Sequence, residues 1–217
     1  VEDYLKKGFL PDAILNFVAL LGWNPKSEEE FFSLDELIKK FSIKNIQKSG
    51  AIFDIKKLEW MNGHYLKNKE VGEIAKLAEP FFLKENMDIS NTEKFLSIIN
   101  HVKQRVNTLA EMPKEAKRFY DELDFSNEQL SVLNKNDPQK LLKAILIKLK
   151  NESNCDGNKF KNISMDVGKK CNLTGKNLFH PLRIALYGSP DGPDIPIIYS
   201  ILEKNEIINR LSRVIND

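Results

Sequence analysis

Apolar residues recur at three- and four-residue spacing along most of the chain, and this period predicts helices almost throughout. In LPDAILNFVALLGW, Pro11 suits a first helical position and Asp12 the positive helix start, while Ile14, Leu15, Phe17, Val18 and Leu21 make one broad face expected to be buried. Ser33 with Glu36, and Ser90 with Glu93, have capping-box spacing and each should open a helix. Asp54 can cap another start in FDIKKLEWMNGHYL, where Asn62-Gly63 predicts a left-handed stop and Trp60 and Met61 read as core. From Ser90 onward, Phe95, Ile99, Val102, Val106 and Leu109 alternate at spacings of four and three; they predict one helical seam that runs until Pro113 ends it. Asp137 and Pro138 mark a further start, and Pro181 opens a helix that Gly188 terminates. Only KSGAIFDI favours extended chain. The expected fold class is all-α, with at most a short strand pair near residues 50–55.

At 217 residues, with 41% apolar and 29% charged positions, the chain has the make-up of an ordinary globular protein of one large domain or two to three small ones. It contains no run of about 18 apolar residues and opens on no signal-peptide pattern, so neither a membrane span nor export is expected, and a cytoplasmic address follows. The opening valine, with a helix starting almost at once, suggests a piece of a longer protein. Cys155 and Cys171 lack CxxC spacing or clustered histidines and read as ordinary thiols, with no metal site. The net charge of +2 conceals a gradient: residues 139–189 carry ten Lys and Arg against three acids, whereas residues 69–138 carry ten against 13. A polyanion would meet that late block first. No phosphate-cradling loop, nucleophile elbow or HExxH motif is present and His64, His101 and His180 are scattered, so no catalytic residue is assigned and the chemistry is that of a binding module.

LLGWNP, FFSLDELIKKFSIKNI, KSGAIFDIKKLEWMNGHYL and HPLRIALYGSPDGPDI, in this order and spacing, resemble the C-terminal portion of bacterial-type, class I glutamyl-tRNA synthetases across essentially the whole chain. The resemblance implies a stem-contact domain at residues 1–69, then a two-part helical anticodon-binding domain at 70–136 and 137–217. It also implies a parent ligase that joins glutamate to tRNA with ATP and Mg2+. The HIGH and KMSKS signatures that bind the nucleotide are absent here, so this chain alone is expected to hold no cofactor and to be inactive. The implied partner is tRNA-Glu, with tRNA-Gln left open as a second substrate, bound by a monomer away from any membrane. The alternatives are a non-catalytic RNA-binding adaptor of the same fold and, more distantly, a helical protein-interaction scaffold.

Residue by residue, the resemblance places Arg105, in VKQRVNTL, where the family reads the third anticodon base. Periodicity agrees, because a helix continuing through residue 105 would put Lys94, His101 and Arg105 on one polar stripe. His180, Arg183, Pro193, Asp194 and Ile195 are carried over as the lining of the anticodon pocket; His180 stands where glutamine or methionine is frequent in the family. His64 and Lys67 are candidates for phosphate or sugar contact in the stem-contact domain, with Lys94, Lys169 and Lys170 as further backbone contacts.

Overall fold

The computed structural model describes residues 1–47, 50 and 52–216. Helices α1 (Glu2–Lys6), α2 (Pro11–Gly22), α3 (Leu34–Lys40), α4 (Ile55–Asn68), α5 (Val71–Lys84), α6 (Thr92–Val102) and α7 (Met112–Ala116) come first. Helices α8 (Asn127–Leu133), α9 (Asn136–Lys150), α10 (Gly157–Lys170), α11 (Lys176–Tyr187) and α12 (Ile195–Asn216) follow. The fold is all-α. Among the described residues the nearest approach to a sheet is one isolated antiparallel bridge between Trp23 and Ile46. The strand pair expected near 50–55 falls partly on Ala51, which lies outside the described residues, as do Lys48 and Ser49; Ile52, Phe53 and Asp54 form no strand.

The chain divides into two compact units, Val1–Ala116 and Lys117–Asp217. The sequence suggests boundaries at 69/70 and 136/137 instead. In the first unit, Phe9, Ile14, Phe17, Leu58 and Met61 form one apolar cluster, and Trp23, Phe32 and Leu37 a second. Residues 1–69 are tied to 70–116 by polar bonds that no periodicity reports. Gly8, at φ 86°, accepts from Leu109 N at 2.9 Å, and a Cβ there would lie 2.5 Å from Ala110 N, so only glycine fits. Lys103 Nζ donates to the Lys69 carbonyl at 2.6 Å, and Lys69 pairs with Asp12 at 2.9 Å. In the second unit, α9, α10 and α12 pack on one another and α11 packs on α12 and α8. Arg118 and Gln129 both donate to the Gly188 carbonyl, which ties the residues just after 116 to α11.

Several local expectations give way to these tertiary demands. Helix α4 runs straight through Asn62-Gly63 to Asn68. Asn62 is fully buried: its Oδ1 accepts from Leu10 N at 2.7 Å and its Nδ2 donates to the Asn107 carbonyl. Gly63 leaves room for the Asn107 side chain. The pair that reads locally as a stop is a helix-to-loop junction. Helix α6 ends at Val102, well before Pro113, which lies inside α7. Beyond Val102 the chain is diverted by its bonds to Gly8 and Asn62, yet Val106 and Leu109 still turn inward. The Ser33 box forms, whereas α6 is capped by Asn91, whose Oδ1 accepts from Lys94 N at 3.0 Å, in place of Ser90. Pro181 lies in mid-helix rather than at the start of α11. Leu15 and Val18 are exposed, because Asn16 takes the buried position between Ile14 and Phe17 and bonds Glu30 O and Phe32 N.

Candidate nucleic-acid interface

The expected site residues divide between the two units. In the first, His64 and Lys67 both lie on the exposed side of α4. His64 stacks on Phe31, with ring centroids 3.7 Å apart and planes within 17°. Tyr65 turns inward and donates to the Phe32 carbonyl at 2.8 Å. Met61 is fully buried as expected, but Trp60 is not core: it is 51% exposed, tilted against Phe31 at 4.9 Å. At 100° per residue, Lys56, Lys67, Trp60 and His64 fall within an arc of about 80°, and all four are exposed. Two cations thus flank two planar rings along one face, a pattern suited to phosphates and nucleobases. Sequence reasoning missed Lys56 and Trp60; the signal was the spacing of four, four and three from 56 to 67.

Arg105 lies in the turn after α6 instead of on that helix. The turn, closed by Arg105 N bonding the Val102 carbonyl at 2.9 Å, still brings its guanidinium beside His101 in the last turn of α6, Nη1 to Nε2 at 3.5 Å. Nε pairs with Glu115 Oε1 at 3.5 Å, and the side chain remains 40% exposed. Burial first, and then the Arg105 charge, push the His101 imidazole below its ordinary range, so at neutral pH it is uncharged. Lys94 sits half-buried in the first turn of α6.

In the second unit the structure gathers Arg183, Pro193 and Asp194. Arg183 Nε donates to the Pro193 carbonyl at 3.1 Å, Nη2 reaches Asp194 Oδ1 at 3.4 Å, and the guanidinium lies 5.9 Å from the Phe179 ring centre. This arginine therefore clamps the turn between α11 and α12. Pro193 and Ile195 are buried, so their side chains shape the turn from beneath, whereas the Asp194 side chain is 70% exposed. The Asp194 carbonyl accepts from Ile197 N and Ile198 N and so starts α12. Gly192 rests on Tyr187, where a Cβ would meet the ring at 2.7 Å. His180 is half-buried one turn before Arg183. Gly188 ends α11 at φ 70°, as its position predicts. Lys169 and Lys170 are exposed in the last turn of α10, while Lys159 of the same basic block is engaged by Glu152 at 2.7 Å.

Among the described residues no group of three His, Cys, Asp or Glu side chains could hold a metal ion, and no helix is long and apolar enough to cross a membrane. Residues 1–60 match the family model described as the catalytic domain of class I tRNA synthetases (E and Q). Glutamate–tRNA ligases of Natranaerobius thermophilus and Carboxydothermus hydrogenoformans are each 35% identical over 100% of this chain and 46% of their own length. The chain therefore spans just under half the length of these relatives. A crystal structure of a glutamate tRNA ligase from Elizabethkingia meningosepticum superposes with a TM-score of 0.87 at 27% identity, over 98% of this chain and 42% of that one. The ligase of Elizabethkingia anophelis gives 0.84 at 28%, over 99% and 42%. Residues 73–215 match the family model described as the anticodon binding domain, and with this match extending over well more than half of its length the chain belongs to the anticodon-binding-domain family, in a form similar to the C-terminal portion of bacterial glutamate–tRNA ligases.

Proposed function

We propose that the chain is the tRNA-binding portion of a glutamate–tRNA ligase and recognises the anticodon. The observation that carries this reading is the anticodon-binding-domain match over residues 73–215 within a chain that is similar to glutamate–tRNA ligases along its whole length. In this reading residues 1–69 contact the tRNA stem and 70–136 and 137–217 are the two parts of the anticodon reader. The partner is tRNA-Glu, with tRNA-Gln as the second candidate, and the protein works as a monomer in the cytoplasm. ATP and Mg2+ serve the parent enzyme. The residues here do not fit them, since neither nucleotide-binding signature occurs in the sequence, and no catalytic step is assigned to this chain.

Each unit supplies a different kind of contact. The clamp of Arg183 on the Pro193 carbonyl fixes the turn that presents Asp194, so an unstacked anticodon base would meet a preset edge rather than a mobile loop. Arg105 offers donors only, which suits the acceptor edge of cytosine and leaves the donors of guanine unmatched. Lys169 and Lys170 hold phosphates without reading sequence.

The test is binding of an anticodon stem-loop of tRNA-Glu over a salt series. Affinity should fall as salt rises, and changing Lys169 and Lys170 together to Glu should lower the slope of the logarithmic plot by about 1.4, at about 0.7 per single-strand phosphate contact. Salt-independent binding, or none, would favour the protein-interaction scaffold. The aromatic face of α4 has its own reporter. Trp23 is buried at 2% exposure, so quenching by iodide reads Trp60. A full-length tRNA-Glu transcript should protect Trp60 from iodide, whereas the isolated stem-loop should not; equal protection by both would remove the stem-contact role from this face.

A further inference from the structure

A pocket of about 390 Å3 opens beside the break in α12, its lining including Cys155, Asp156, Tyr199, Ser200, Glu203 and Lys204. The break is at Glu203, whose φ of 61° and ψ of 169° belong to a region otherwise left to glycine. Tyr199 is 6% exposed, and its hydroxyl has no hydrogen-bond partner. A buried hydroxyl without a partner is costly and rare, so this one marks a place where an acceptor is missing. The hydroxyl faces the Cys155 thiol without the geometry of a bond, and burial, followed by that thiol, pushes the phenol well above its ordinary range. It therefore stays protonated and remains a donor.

We propose that Cys155 is a modification site for small hydroperoxides, with Tyr199 as the donor that receives the new oxygen. Sγ attacks the terminal peroxide oxygen as the O–O bond breaks; sulfur loses two electrons to the peroxide, the thiol proton leaves on the departing oxygen as water from hydrogen peroxide or as an alcohol from an organic hydroperoxide, and the product is a sulfenic acid. The sulfenic oxygen then accepts from the Tyr199 hydroxyl. Cys171 is the internal comparison. The two half-buried thiols flank opposite ends of α10: Cys155 precedes the N-cap Asp156 and shares the pocket with Tyr199, whereas Cys171 is the C-cap and lies outside the pocket.

This site is independent of the RNA-binding reading and is tested without RNA. The folded chain is treated with dilute hydrogen peroxide in the presence of dimedone, and the adduct on each cysteine is followed by peptide mass spectrometry. Cys155 should be trapped first. Tyr199→Phe, which deletes only the hydroxyl, should slow trapping at Cys155 by about fivefold, the worth of one hydrogen bond, and leave Cys171 unchanged. Equal rates for the two cysteines in the unaltered protein would overturn the proposal even where the variant loosens the fold, and an unchanged Cys155 rate in a folded Tyr199→Phe protein would remove Tyr199 from it.

Discussion

Arg210→Met should cost the second unit about 3–5 kcal/mol, the largest loss expected of any single replacement considered for this chain. The Arg210 side chain is 6% exposed and each nitrogen of its guanidinium donates at least one hydrogen bond. Nε donates to Glu206 at 2.7 Å, Nη1 to the carbonyls of Leu186 at 2.8 Å and Arg118 at 3.0 Å, and Nη2 to the Asp121 carbonyl at 3.3 Å. One side chain on α12 thus holds the end of α11 and the segment that follows residue 116. Methionine fills much of the same volume but donates nothing, so the carbonyls lose their partner inside the protein and Glu206 its counter-charge. For a unit of this size the midpoint of thermal unfolding should fall by at least about 12 °C, measured by circular dichroism. Arg213→Met is the contrast: that arginine pairs with Glu122 at the surface, 56% and 79% exposed, and its loss should barely move the midpoint. If both variants melt alike, the buried guanidinium is not what joins these elements.

The helical class and the seam from Phe95 to Leu109 were legible because burial follows short-range period, and that period survives even where the helix does not. Val106 and Leu109 are buried although α6 has already ended at Val102. Asn62-Gly63 is the opposite case. Its local chemistry is that of a helix stop, but the partners that decide its conformation, Leu10 and Asn107, lie 52 and 45 residues away. The same distance effect explains Arg183. Spacing marks it as a cation near a helix end, and only the fold shows it spent on the Pro193 carbonyl ten residues later. Trp60 departs from the usual burial of a tryptophan at helical spacing, because here the lysines at 56 and 67 share its face and the apolar side of α4 is already filled by Leu58, Met61 and Leu66. Pro193 and Ile195 were reached through resemblance, and their burial moves their expected role from touching a base to shaping the turn that presents Asp194.

Arg105→Gln should narrow the preference for cytosine over guanine at the third anticodon position by about tenfold, within the 1–3 kcal/mol that one bidentate side-chain contact to a base contributes. Arg105, in the turn after α6, is held at the surface by Glu115 on one side and lies beside His101 on the other. Because His101 is uncharged at neutral pH, it can accept from the guanidinium instead of repelling it. These contacts occupy part of the fork and leave the remaining N–H groups for a base, all of them donors. A guanine edge presents donors of its own and meets them badly. Glutamine both donates and accepts, so it tolerates either base. Lys94→Ala, on the same side of α6, removes a charge without an edge to read and should weaken both RNAs about equally. The measurement is a competition at one fixed salt concentration between two stem-loops that differ only at the third anticodon base. If Arg105→Gln weakens both stem-loops by the same factor, this arginine grips the RNA backbone or serves its own fold, and the base is read by something else.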